Sequence, residues 1–177
     1  VGGSNHIAPT NFHTRRPPTR RGLLLSVPMD IRKATNEDLP HIVRLLAEDP
    51  LGQTRERFED PLPEPYLKAF EEIGNQGCHE LVVAVENEAV IGCLQVTFVP
   101  GISRLGMLRA QVEGVRVHDG YQGKGVGKAL MEHAISRARE KGCGLVQLTT
   151  DNSRPDAHKF YEGLGFTSSH IGMKLPL

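Results

Sequence analysis

Tyr121-Gln-Gly-Lys-Gly-Val-Gly-Lys128 sets three glycines at alternate positions between two lysines, where a strand signal gives way to a helix signal. A strand-to-helix junction leaves backbone N–H groups without intrahelical acceptors at the positive end of the helix dipole, so this segment can bind a phosphate-bearing ligand. Gly125 and Gly127 let the main chain approach an anion without a Cβ in the way, and Lys124 and Lys128 add positive charge. A flexible connection would need fewer glycines. Register excludes two nucleotide loops: Gly123, Gly125 and Gly127 lack the wider gap of G-x-G-x-x-G, and a P-loop ending at Gly127-Lys128 would need glycine at 122 and Ser or Thr at 129, where the chain has Gln122 and Ala129.

The elements that must position this loop are legible from periodicity. Residues 29–34 alternate like a strand. Thr35 with Asp38 three residues on reads as an N-cap ahead of Leu39, Ile42, Val43, Leu45 and Leu46, predicting a helix over 37–48 that stops before Pro50. Pro61, Pro63 and Pro65 lead into a short helix over 66–73. Strands are predicted over 81–85 and 90–98 around the hairpin Glu86-Asn-Glu-Ala89, and over 108–117. An amphipathic helix over 128–141 carries Val126, Leu130, Ala134 and Ala138 on one stripe and ends at Gly142. A strand over 145–150, a helix over 155–163 and a weaker terminal strand over 166–175 complete the order. Such an order implies an α/β (α+β) chain: a mixed sheet covered by helices.

With 177 residues and 38% hydrophobic content, the chain has the length of one domain with its own core. No run approaches the ~20 apolar residues of a membrane span. Cys78, Cys93 and Cys143 are odd in number and lack C-x-x-C spacing, which argues against a disulfide scaffold or zinc site and for a reducing, cytoplasmic setting. The net charge of +0 hides a split. Residues 1–28 hold Arg15, Arg16, Arg20 and Arg21 and no acid, so the remainder carries −4. This basic stretch reads as a flexible leader, with a targeting segment or an electrostatic arm for RNA or lipid as alternatives, and Met29 opens a single domain over 29–177. Nucleic acid is not an expected partner of the domain itself.

Gln122-x-x-Gly125-x-Gly127 resembles the Q/R-x-x-G-x-G/A signature of the GCN5-related N-acetyltransferases (GNAT), whose loop binds the pyrophosphate of acetyl-CoA. The resemblance covers residues 29–177 in element order and is most specific over 113–166: Glu113-Gly-Val-Arg-Val117 stands as the strand before the loop, and Phe160-Tyr-Glu-Gly-Leu-Gly-Phe166 matches the family's aromatic and Gly-Phe at the end of a later helix. It implies a mixed, mostly antiparallel central sheet flanked by about four helices. It also implies direct acetyl transfer from acetyl-CoA to an amine, with no metal. Residues 122–128, namely Gln122, Gly123, Lys124, Gly125, Val126, Gly127 and Lys128, would hold the cosubstrate phosphates. Peptide groups of Val115, Arg116 and Val117 would hold its pantetheine arm and thioester oxygen, with Asn152 as a further amide contact, although Asp151-Asn-Ser-Arg-Pro-Asp156 departs from the family's N-x-x-A pattern.

The chemistry assigns two side chains. An alkyl ammonium with a pKa near ~10.4 must lose a proton before it attacks, and Glu113 is the candidate base; a solvent-facing Glu113, or one paired with Arg109 or Arg116, is the structural alternative. Tyr161 matches the family tyrosine that protonates the CoA thiolate, against the alternative of a packed aromatic. His118, His133 and His158 lack metal-ligand spacing or a nucleophile partner, and Cys143 between two glycines reads as a small packed residue. The acceptor, a small-molecule or protein amine, would meet residues 46–73 and 99–109, where acids outnumber bases. A homodimer is compatible with this reading. The other function classes are a non-catalytic acyl-CoA-binding sensor or interaction module, and an RNA-associated role of the leader.

Overall fold

The computed structural model describes residues 29–177, so the basic leader lies outside the described residues. Nine elements follow in order: β1 Asp30–Lys33, α1 Leu39–Glu48, α2 Glu64–Asn75, β2 His79–Glu86, β3 Ala89–Val99, β4 Arg109–Val117, α3 Val126–Glu140, β5 Leu145–Leu148 and α4 Pro155–Gly163. A single helical turn, Ser103–Gly106, adds to the four longer helices. The strands form one sheet in the order β1-β2-β3-β4-β5. It is antiparallel except for the parallel pair β4 and β5, which α3 connects, so the mixed, mostly antiparallel sheet read from the sequence is what forms.

Both faces of this sheet are covered, which is why residues 81–85 read as an unbroken apolar run. Val82 and Ala84 point toward α3, whereas Val83 points toward α1. On the α3 side, Leu130, Met131, Ala134 and Ala138 pack against Leu94, Val96 and Val112. On the other, Ile42 and Leu45 of α1 pack against Val83 and Cys93. The start of α1 is fixed as its residues suggest. Thr35 donates its N–H to Asp38 Oδ2 at 2.7 Å within a capping box, and Arg32 grips both oxygens of Asp38 at 2.6 and 3.0 Å. Asn87 and Glu88, both at positive φ (49° and 66°), make the two-residue turn between β2 and β3.

Two expectations fail. Residues 166–175 form no strand: Ile171, Met173 and Leu175 alternate as a strand's would, yet stand 93%, 93% and 83% exposed. Alternation specifies two faces but not a partner edge, and the nearest edge, β5, is only four residues long. The helix expected from 128 begins at Val126, because Gly125 turns the chain with a left-handed φ of 87° and caps it there. Gly127 and Lys128 therefore lie inside the first helical turn.

Gly92 on β3 lets α3 close on the sheet: a Cβ there would stand 2.9 Å from the Arg116 carbonyl oxygen, 3.0 Å from Leu130 Cδ1 and 3.1 Å from Val126 Cγ1. Gly92→Ala is expected to lose about 1–3 kcal/mol of stability, because rigid neighbours on two elements must give way. Urea denaturation should show a lower midpoint with little change in slope.

Candidate functional site

β4 and β5 pair only as far as Val112↔Leu148, but β4 continues to Val117. Beyond Val112, the β5-facing edge of β4 has lost its ladder partner. His118 N–H donates to Ile91 O of β3 at 2.9 Å, so by strand alternation the Val117 and Val115 N–H groups point away from β3, toward that open edge. A bulge reinforces the divergence. Cys93 opposes Arg116 and Gln95 opposes Glu113, so Gly114 and Val115 together face the single residue Leu94, and Gly114 takes a φ of 61°. The extra residue resets the alternation: Val112, Val115 and Val117 all pack on the α3 side, and Arg116 emerges toward α1. By the same register Glu113 shares that α1 face. Its carboxylate is exposed and makes no hydrogen bond or ion pair among the described residues; neither Arg109 nor Arg116 pairs with it.

The glycine loop lies at the same end of the sheet. After the turn Asp119–Tyr121, Gln122 Nε2 donates to Asp119 Oδ1 at 2.8 Å, and Gly123 and Gly125 take φ of 72° and 87°. The helical ladder starts with Ala129 N–H to Gly125 O at 3.0 Å. The N–H groups of Gly123, Gly125, Val126, Gly127 and Lys128 find no acceptor among the described residues. Five free donors at the positive end of a 15-residue helix can serve an anion as hydrogen-bond partners. Lys124 Nζ sits 5.1 Å from the Tyr121 ring centroid, and Lys128 Nζ lies 3.8 Å from Glu132. β4, α3 and α4 meet at Gly127, where a Cβ would stand in ordinary van der Waals contact, 3.4 Å from Phe160 Cζ and 3.6 Å from Val117 Cγ2.

On α4, Tyr161 packs edge-on against Phe160 and Phe166, with centroids 5.1 and 6.0 Å away. Burial pushes the Tyr161 hydroxyl above the ordinary phenol pKa, opposed by the guanidiniums of Arg116 and Arg154. These two arginines converge on Asp49, at the C-terminal end of α1. Arg116 Nη2 reaches Asp49 Oδ1 at 3.3 Å, and Arg154 Nη2 bonds both carboxylate oxygens. Arg116 also donates to Val115 O at 2.8 Å, while its Nε is buried without a partner. Burial alone would raise the Asp49 pKa, but the bond from Arg154 and the charges of both arginines hold it below the usual carboxylate range. Sequence reasoning missed Asp49 and Arg154 as a pair. They are 105 positions apart, and no local pattern joins them.

Asn152 is exposed in the turn before α4, where Ser153 N–H and Oγ both bond Asp151 Oδ1 at 2.9 and 2.6 Å. The acidic bias expected around the acceptor is partly neutralised: Asp49 serves the arginines, Glu56 accepts from Tyr66 at 3.0 Å and Arg55 at 3.1 Å, and Glu64 pairs with Lys68 at 2.9 Å. A groove of about 300 Å³ lies between α2, the end of β1 and the first residues of β2, lined by Lys33, Thr35, Phe70 and Leu81. Strand register sets its Leu81 level with Gln95 and, on the next strand, with Glu113. A smaller pocket of about 60 Å³ between Asp49, Arg116, Val117 and Gln122 adjoins the loop. Burial raises the Cys93 thiol to about 12, which leaves it inert as a nucleophile at neutral pH. Among the described residues no helix is long and apolar enough to cross a membrane, and no three His, Cys, Asp or Glu side chains gather as metal ligands.

Residues 42–166 match the model of the acetyltransferase (GNAT) family. N-alpha-acetyltransferase 30 of Saccharomyces cerevisiae is 28% identical over 125 residues, 67% of this chain and 70% of the relative. Glucosamine 6-phosphate N-acetyltransferase of Trypanosoma brucei brucei is 35% identical over 89 residues, 50% of this chain and 58% of that protein. The crystal structure of a transcriptional regulator from Bacillus halodurans C-125 superimposes with a TM-score of 0.83 at 50% identity, covering 85% of this chain and 100% of the other.

The carboxylate of Asp49 makes this region acid-sensitive. Because its folded pKa is depressed, its contribution is complete above the unfolded value of ~3.9 and disappears as pH falls through the lower folded value. Asp49→Asn should cost on the order of 3 kcal/mol near neutrality. The gap between wild-type and variant urea midpoints should be widest above about pH 5 and narrow steadily below about pH 4.

Proposed function

The chain belongs to the GNAT acetyltransferase family, and from that premise we propose that it moves an acetyl group from acetyl-CoA directly to an amine. One observation carries this reading: five unpaired N–H groups at the start of α3 stand at the same end of the sheet as the open edge of β4. Acetyl-CoA brings a pyrophosphate and an acetyl thioester, and the residues present suit both. The donors of Gly123, Gly125, Val126, Gly127 and Lys128 suit the phosphates, with Lys124 and Lys128 adding charge and Gln122, anchored to Asp119, shaping the loop. Val115 and Val117 N–H groups offer donors to the pantetheine arm and the thioester oxygen. Arg116 contributes to this strand by holding the Val115 carbonyl, and Asn152 stands at the mouth of α4 as a further amide contact.

Proton handling falls to two side chains. Glu113, exposed and without an internal partner, is free to take a proton from an incoming ammonium, directly or through water. Tyr161, a phenol with an ordinary pKa near ~10 that burial pushes further up, carries its proton at neutral pH and can donate to a departing thiolate whose conjugate acid lies near ~8.5. The acceptor class is tested by a panel of polyamine, aminoglycoside, amino-sugar, amino-acid and peptide amines, reading thiol release together with acetylated product. Binding of acetyl-CoA with no product across the panel would favour a sensor module instead.

Gly125→Val forces a β-branched residue into a left-handed conformation and displaces the donors beside it. Acetyl-CoA affinity should fall at least about tenfold by calorimetry, equivalent to ~1.4 kcal/mol. Lys124→Ala should weaken binding less and lose most of its effect at high salt.

Glu113→Gln keeps the size and removes the basic site. Transfer to the best panel amine should fall by about 10² at neutral pH and recover partly as pH rises toward ~10.4, with acetyl-CoA affinity unchanged. Wild-type rates across that range would place the base elsewhere.

A further inference from the structure

Residues 151–177 carry Tyr161, yet little fastens them to the rest of the molecule. β5 ends at Leu148, no strand follows it, and no residue of α4 is fully buried. Phe160, Tyr161, Leu164 and Phe166 are only partly buried where they touch the α3-side core. Every other hydrogen bond and ion pair of this segment closes within it, as with His158 Nε2 to Asp151 O at 3.0 Å and Lys159 to Asp156 at 3.9 Å. Among the described residues, one polar link leaves the segment: Arg154, immediately before α4, bonds both oxygens of Asp49. Asp49 is itself fixed. Its side chain is 11% exposed, its Oδ1 accepts from Leu51 N–H at 3.2 Å, and Arg116 approaches the same oxygen at 3.3 Å. Arg116 in turn holds the carbonyl of Val115, inside the β4 bulge.

We propose that Asp49 is a positioning residue of the transfer reaction: by clasping Arg154 and Arg116 together it sets α4, and with it the Tyr161 hydroxyl, against the bulged end of β4. The inference rests on the reading of Tyr161 as the proton donor. Apolar contact alone orients α4 loosely, because partly buried aromatic rings can slide, whereas a carboxylate shared by two guanidiniums fixes distance and direction. A donor misplaced by about 1 Å can cost up to 10²-fold in rate, so a contact that never touches substrate can govern the chemical step.

The test uses the full chain and two measurements. Peptide-resolved hydrogen–deuterium exchange needs no acceptor. Against wild type held in urea at matched global stability, the amides of α4 in Asp49→Asn should be at least about tenfold less protected while those of α3 agree within about twofold, a local loosening that a global loss of stability would not give. Single-turnover transfer from saturating acetyl-CoA to the fastest panel amine should fall at least about tenfold, with acetyl-CoA affinity within about threefold of wild type. Tyr161→Phe should be slow as well, and Asp49→Asn/Tyr161→Phe no slower than Tyr161→Phe beyond about twofold, since both changes remove one action. If Asp49→Asn does not fold, Arg154→Gln cuts the same link and is read the same way. Unchanged α4 exchange would overturn the inference outright. A slow Tyr161→Phe beside a wild-type rate for the cut link, or additive losses in the double variant, would overturn the positioning role and leave the proton donor standing. A wild-type rate for Tyr161→Phe would remove the donor and the positioning role together.

Discussion

The parting of β4 from β5 after Val112 and Leu148 is the constraint on which the rest of the structure turns. A strand interior that loses its neighbour leaves peptide groups that want hydrogen-bond partners, and such groups persist only where water or a ligand can reach them. The bulge at Gly114 and Val115 makes the parting permanent by adding a residue to β4 alone. It also changes which side chains go where. Without the extra residue, strict alternation from Glu113 would send Arg116 into the apolar face under α3, and the arginine could not reach Asp49.

The same end of the sheet receives α3, and a small residue makes the meeting close. Gly92 lets the helix settle on β3 and β4, while Phe160 of α4 and Val117 of β4 both lie beside Gly127. The free donors of the helix start therefore stand beside the open strand edge. Neither feature suffices alone, since helix starts and strand edges are common. Their coincidence makes a concave, donor-rich end on a sheet that is covered on both faces elsewhere.

Charge acts locally in this molecule. The exposed pairs Lys68 with Glu64 and Lys128 with Glu132 contribute little, about 0–1 kcal/mol each. The sheltered ones fasten edges. Arg32 with Asp38 ties β1 to the start of α1, Arg137 with Glu80 ties α3 to β2, and Asp49 with Arg116 and Arg154 ties three elements that share no sequence neighbourhood. In the last case the same two arginines also act on Tyr161: burial raises its pKa while their charges pull the other way.

Much of this was legible in the chain itself, where the physics is local. Thr35 and Asp38 announce the start of α1, Asn87-Glu88 a tight turn, and residues 122–127 a glycine loop that lets an anion approach main-chain donors at a helix start. Periodicity marked the strands and helices because a sheet covered on both faces leaves long apolar runs and striped helices. It marked one strand too many, over 166–175, because alternation is a property of a segment whereas pairing is a property of an edge. Tertiary structure alone decided the phase of β4, the exposure of Glu113, the meeting of β4, α3 and α4 at Gly127 and that of Asp49 with Arg154 across 105 positions. Each depends on which surfaces face each other after collapse, and no pattern along the chain encodes that.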